Sequence, residues 1–118
     1  MNLTINKAKL HAEHLMQTGW QRLGNYLDVH PYYLRICNEC VAVGQIIPIR
    51  SAATMTVDIE RYFRKIMKRH ERYGLTRVVF FSSPNGIPIP DFFRTFCEEE
   101  GIVIEFKNEI NINYENEN

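Results

Sequence analysis

Residues 41–50 read VAVGQIIPIR, and this run decides the architecture. Its valines and isoleucines give it strand character, while Pro48 has no N–H to donate and stops or bulges the pairing near its end. Before it stands PYYLRIC, residues 31–37, a second run rich in aromatic and β-branched side chains. The polar pair Asn38-Glu39 separates the two, so a hairpin of strands 31–37 and 40–50 is predicted. Gln45 then sits inside an apolar strand. A buried amide must be hydrogen-bonded, and a neighbouring loop is its expected partner.

Working outward, Ile59, Tyr62, Phe63, Ile66, Met67, His70 and Tyr73 recur at helical spacing, and Gly74 follows them. A long helix over 57–73 is predicted. Residues 51–56 read as a connection, with Thr54 and Thr56 as caps and Asp58 and Glu60 in the favourable first turn. TRVVFFSS (76–83) has the content of a buried strand, and PNGIPIP (84–90) is a turn-rich link. DFFRTFCEEEG (91–101) is a short helix capped by Asp91 and closed by Gly101, and IVIEF (102–106) is the last strand. Upstream, Ala8, Ala12, Leu15 and Met16 share one face of a helix over 5–16, with Thr4 or Asn6 as its cap. Residues 19–30 are irregular, with room for a short strand, and Trp20, Leu23 and Tyr26 cap one edge of the core.

Strand-helix-strand units with short links make parallel crossovers. The fold class is therefore α/β: a three-layer mixed sheet with an antiparallel hairpin followed by two crossover units. Residues 1–110 form a single domain, and the Asn/Glu-rich residues 111–118 are expected to be a mobile tail.

A chain of 118 residues with 45% apolar and 24% charged residues has the composition of a globular domain that needs no disulfide staples. No apolar run is long enough for a membrane helix, and no secretory signal opens the chain. A cytoplasmic location without membrane partners is expected, and three cysteines, an odd number, fit a reducing compartment. Net charge is zero, but its distribution is uneven. Seven basic side chains lie between Arg61 and Arg77 against Glu71, and eight acids lie from Asp91 onward against Arg94 and Lys107.

The element order resembles the restriction-endonuclease-like PD-(D/E)XK superfamily, especially the type IV restriction endonucleases that cut modified DNA. Leu27-Asp28-Val29 resembles the acid element of that family, and Val43-Gly44-Gln45-Ile46-Ile47 resembles its Gln/Glu-x-Lys strand. VVFFSSPNGIPIPDFFRTFCEEEGIVIEF (78–106) resembles its closing strand, helix and strand, so the likeness spans about Ala8 to Phe106. It implies a site in which Asp28 and Gln45 hold a divalent metal, and Glu13 on the first helix would have to stand in for a second carboxylate. The lysine slot, however, holds Ile47, which can neither polarise a phosphate nor activate water. Arg50, Lys65 or Arg61 would have to replace it, and arginine is a poor proton donor or acceptor.

Arg61, Arg64, Lys65, Lys68, Arg69 and Arg72 fall on one helical face opposite Ile59, Phe63, Ile66 and His70. That stripe attracts phosphates or an acidic protein. A zinc site competes: Cys37 and Cys40 form C-x2-C, and His11 and His14 form H-x2-H, although a tight hairpin turn explains the cysteines equally well. Cys97, between apolar neighbours, is expected to be a buried inert thiol. The expected function is a non-catalytic binding protein on a degenerate nuclease-like scaffold, with no cofactor, recognising a nucleic-acid backbone or an acidic protein through the basic helix. The alternatives are a Mg²⁺-dependent nuclease using Glu13, Asp28 and Gln45, and a small oligomeric adaptor or inhibitor.

Overall fold

The computed structural model describes residues 7–24, 31–46, 52–82 and 89–108. Their elements are α1 (Lys7–Gln17), β1 (Gln21–Leu23), β2 (Tyr32–Ile36), β3 (Glu39–Ile46), α2 (Ala52–Tyr73), β4 (Arg77–Ser82), α3 (Asp91–Glu100) and β5 (Val103–Asn108). One five-stranded sheet runs in chain order, β1-β2-β3-β4-β5. The first three strands are mutually antiparallel, and β4 and β5 each join parallel to the strand before. The hairpin and the two crossovers are as the sequence predicts. The 111–118 tail, Thr4, Asn6, Tyr26, Asp28, Ile47, Pro48 and Arg50 lie outside the described residues.

Alternation along β3 sends Val41, Val43 and Gln45 to one face and Cys40, Ala42 and Gly44 to the other. On the first face Ala8 and Ala12, both fully buried, press α1 against Tyr32, Leu34, Val41, Val43, Val79 and Phe81. Two methyl-sized side chains one turn apart let that helix lie close to the sheet. On the second face Phe63 and Ile66 of α2 and Phe93 and Cys97 of α3 pack on Ala42, Val78 and Phe80. Here the Phe63 ring meets Phe93 at 4.8 Å and Phe80 at 5.5 Å between centroids. Val78 through Phe81 are all buried, so β4 is covered on both faces.

Three boundaries differ from the sequence reading, and one irregular stretch takes a definite form. The hairpin turn is Cys37-Asn38 rather than Asn38-Glu39, because Ile36 pairs with Glu39 and Cys37 takes a positive φ of 51°. A two-residue turn that matches strand twist demands such a conformation, and an exposed cysteine accepts it at a cost. Residues 21–23 are the short strand for which the irregular stretch left room, antiparallel to β2 and set between Gly19 and Gly24, both at positive φ. Helix α2 begins at Ala52, so Thr54 and Thr56 are internal rather than caps. In α3 the N-cap is Pro90, whose carbonyl accepts the N–H groups of Phe93 and Arg94, and Asp91 occupies the first turn.

The ends of α2 and α3 and the start of β4 are tied by specific bonds. Leu75 N–H donates to His70 Nδ1 at 2.9 Å, and His70 Nε2 lies 3.0 Å from Glu100, fixing the neutral ring as the Nε2–H tautomer. Arg35 donates to the Tyr73 carbonyl, placing a cation at the α2 C-terminus. Thr76 bonds both backbone groups of Cys40, at 2.7 and 3.0 Å, and so sets β4 beside β3. Gly101 closes α3 in the left-handed region, with Ile102 N–H reaching back to the Cys97 carbonyl at 2.8 Å.

Candidate functional site

Helix α2 is long and strongly two-sided because its apolar positions return every three or four residues. Burying Phe63 and Ile66 turns Arg61, Lys65, Lys68 and Arg72 outward, and all four are exposed. At 100° per residue these four fall within an arc of about 60° and extend about 16 Å along the axis. Among the described residues none of them pairs with a carboxylate.

The two remaining cations of the predicted stripe are engaged. Arg64 bonds Glu60 at 3.0 Å and lies 4.6 Å over the Phe92 ring. Arg69 is half-buried beside the Tyr33 phenol, which burial pushes above its usual pKa while the Arg69 charge opposes that shift. The stripe thus narrows from six cations to four that are available to a partner.

The nuclease-like positions are placed differently. Gln45 is buried, and its Oε1 accepts the N–H groups of Lys7 at 2.6 Å and Ala8 at 3.3 Å. The partner is the N-terminus of α1, not a loop. An amide oxygen from a strand thereby does what a local Ser or Asp usually does, satisfying two of the orphan donors of a helix start. Glu13 sits on the same helix about 9 Å further along the axis. Gln45 and Glu13 are therefore not brought together. Asp28, Ile47 and Arg50 lie outside the described residues.

The four zinc-ligand positions do not converge either. His11 stands on the α1 side of the sheet, Cys40 packs into the cluster on the α2 side, and Cys37 is exposed in the turn. His14 is on α1 with His11. Among the described residues no group of three His, Cys, Asp or Glu side chains is arranged to hold a metal. Burial pushes the Cys40 thiol up despite Arg35 beside it, and pushes that of Cys97 to about 11, so both are inert at neutral pH.

A cleft that sequence reasoning missed opens on the α1 side, where α1 stops short of β5. Its volume is about 260 Å³, with Val41 and Val79 as floor, Leu15 and Trp20 as walls, and His11, Arg77, Glu105 and Lys107 among the rim. Glu105 accepts from Arg77 Nη1 at 2.8 Å and faces Lys107 Nζ at 3.3 Å. The Arg77 hydrogen bond leads in lowering the Glu105 pKa, with Lys107 adding to it. His11 lies edge-on to Phe81, 5.4 Å between centroids. Burial, then the charges of Lys107 and His14, depress its pKa to about 4, with Glu105 opposing.

That depression sets a pH dependence. Between about pH 6.5 and 4 the unfolded chain takes up the His11 proton while the folded chain does not, so stability is full above this window and falls as pH drops through it. With solvent screening at a half-buried site the loss is on the order of 1 kcal/mol. Urea unfolding at stepped pH values should show His11→Gln flattening the slope above about pH 5, with the Glu105 contribution still lost below the ordinary carboxylate range.

No helix among the described residues is long and apolar enough to cross a membrane. No protein-family model matches the chain, and no curated protein is significantly similar to it.

Proposed function

We propose that this is a non-catalytic binding protein that recognises a nucleic-acid backbone through α2. The observation that carries the reading is the row Arg61, Lys65, Lys68 and Arg72, exposed and without carboxylate partners among the described residues. Four cations in a line on a rigid helix suit a regularly charged polyanion, since each phosphate they neutralise releases a counterion. Contacts from a single exposed row of cations go mainly to the phosphates, which position a protein without reading sequence, so sequence preference is weak. Two further points support the non-catalytic part. In the sequence pattern that resembles the restriction-endonuclease-like family, the lysine is replaced by Ile47, and the oxygen of Gln45 is already committed to α1. The element order agrees with a degenerate member of that superfamily.

The test is anisotropy of a labelled duplex of DNA or RNA across salt concentrations. With four phosphates neutralised, the log–log slope should be about −3.6, a loss of roughly two orders of magnitude in affinity between about 50 and 200 mM salt. Lys65→Glu with Lys68→Glu should remove binding, whereas Arg22→Ala, on the opposite face of the sheet, should leave it unchanged. Salt-independent or absent binding overturns the nucleic-acid reading and points to an acidic protein on the same face. Plasmid nicking in Mg²⁺ that Asp28→Ala abolishes overturns the non-catalytic reading.

A further inference from the structure

We propose that two copies of this chain join edge to edge through β5, antiparallel about Phe106, so that their sheets become one. The proposal is independent of what α2 binds. Within the sheet β5 is a terminal strand, and among the described residues nothing pairs with its outer edge. Phe106 is 51% and Val103 53% exposed, two of the three large apolar side chains among the described residues left in this state. An apolar edge strand is a template for another strand unless something blunts it. The opposite edge, β1, is blunted: it is three residues long, with Gln21 and Arg22 exposed.

The sequence of β5 says which strand fits. Ile104-Glu105-Phe106-Lys107-Asn108 places opposite charges symmetrically about Phe106. A two-fold axis through Phe106 sets Glu105 of each copy directly opposite Lys107 of the other, twice, and Phe106 opposite its own counterpart. Moving the axis by one residue to Glu105 or to Lys107 brings like charges face to face, which is destabilising. Charge therefore specifies both the partner and the register. Glu105 is already held by Arg77 on the neighbouring strand at 2.8 Å, and Lys107 stands 3.3 Å from it in the same strand. The Phe106 ring rests on Phe80, 6.0 Å between centroids, so the central contact is placed before association.

The axis runs normal to the sheet, and both α2 helices lie on the same side of the joined sheet. With only a short strand and one aromatic pair buried, association is expected in the micromolar range.

The experiment is disulfide trapping in the full chain in a Cys37→Ser background. Phe106→Cys puts its two copies about 5 Å apart and should give an intermolecular disulfide, whereas Val103→Cys puts them about 20 Å apart and should give none. In a parallel measurement by sedimentation, Glu105→Lys and Lys107→Glu should each weaken self-association at least tenfold. Mixed together, the two variants should form a heterodimer, because each then meets the opposite charge. Equal trapping at 103 and 106, or a mixture no more associated than its parts, overturns the proposal. So does a monomer at all concentrations that dimerises only when residues 109–118 are deleted, since the edge is then occupied by the chain's own end.

Discussion

Gly44→Ala should cost about 2 kcal/mol or more, and the sign of the change is what makes it informative. In a strand interior glycine is the weaker choice, so on an open face alanine would stabilise by roughly 0.5–1 kcal/mol. Gly44 is not on an open face. A Cβ built there falls far inside van der Waals contact distance of Tyr62 Oη and 3.2 Å from its Cζ. The Tyr62 ring cannot easily retreat, because it is edge-on to Phe63 at 5.2 Å and tilted against Phe80 at 6.5 Å. Burial of that phenol also pushes its pKa above the usual range. Removing Oη relieves the worst of the overlap, so Tyr62→Phe should recover part of the loss in the Gly44→Ala background. The cycle is read from urea midpoints of the four proteins, and a coupling energy below about 0.5 kcal/mol would show that the two positions do not meet.

Gln45→Leu should be at least as damaging, by about 2–4 kcal/mol, although it replaces a polar core residue with an apolar one of similar size. The substitution removes the single oxygen that accepts both Lys7 and Ala8 N–H groups, and leaves a buried donor at Ala8 and a part-buried one at Lys7 without it. Gln45→Glu keeps an acceptor in place and puts negative charge at the positive end of α1, so it should retain more stability than the leucine variant at neutral pH. Far-ultraviolet circular dichroism should register lost helix in Gln45→Leu alone. If leucine were neutral or stabilising, the bond would be contributing nothing and the glutamine would be free for some other purpose.

Elements that depend on local periodicity were legible in the sequence. The cationic row of α2 is a pattern along one helix, and Phe63 and Ile66 identify its inner face without any knowledge of the sheet. The start of α2 was not legible, because Ala52 to Thr56 carry threonines that read equally well as caps and no apolar rhythm. Strand β1 was legible only as room for a short strand, without its bounds. Three residues cannot display alternation, and Gln21 to Leu23 become a strand only through pairing with Arg35, Leu34 and Tyr33. The hairpin turn was misplaced by one residue for the same reason: the polarity of Asn38-Glu39 is local, but the register that puts Ile36 opposite Glu39 belongs to both strands.

Sites assembled from distant segments were hidden altogether. Arg77 meets Glu105 only because β4 and β5 run parallel with Val79 beside Glu105, and His11 joins them only because α1 docks on that face. Gln45 was recognisable as a buried group in need of a partner, but nothing in its neighbourhood names a helix start 38 residues earlier.

That bond also bears on the order in which the molecule becomes itself. An eleven-residue helix does not persist alone in water, and α1 has no acidic side chain in its first turn to help it. Its permanence is borrowed from the far end of a strand synthesised later. Of the two segments, the earlier to be made is the later to be committed.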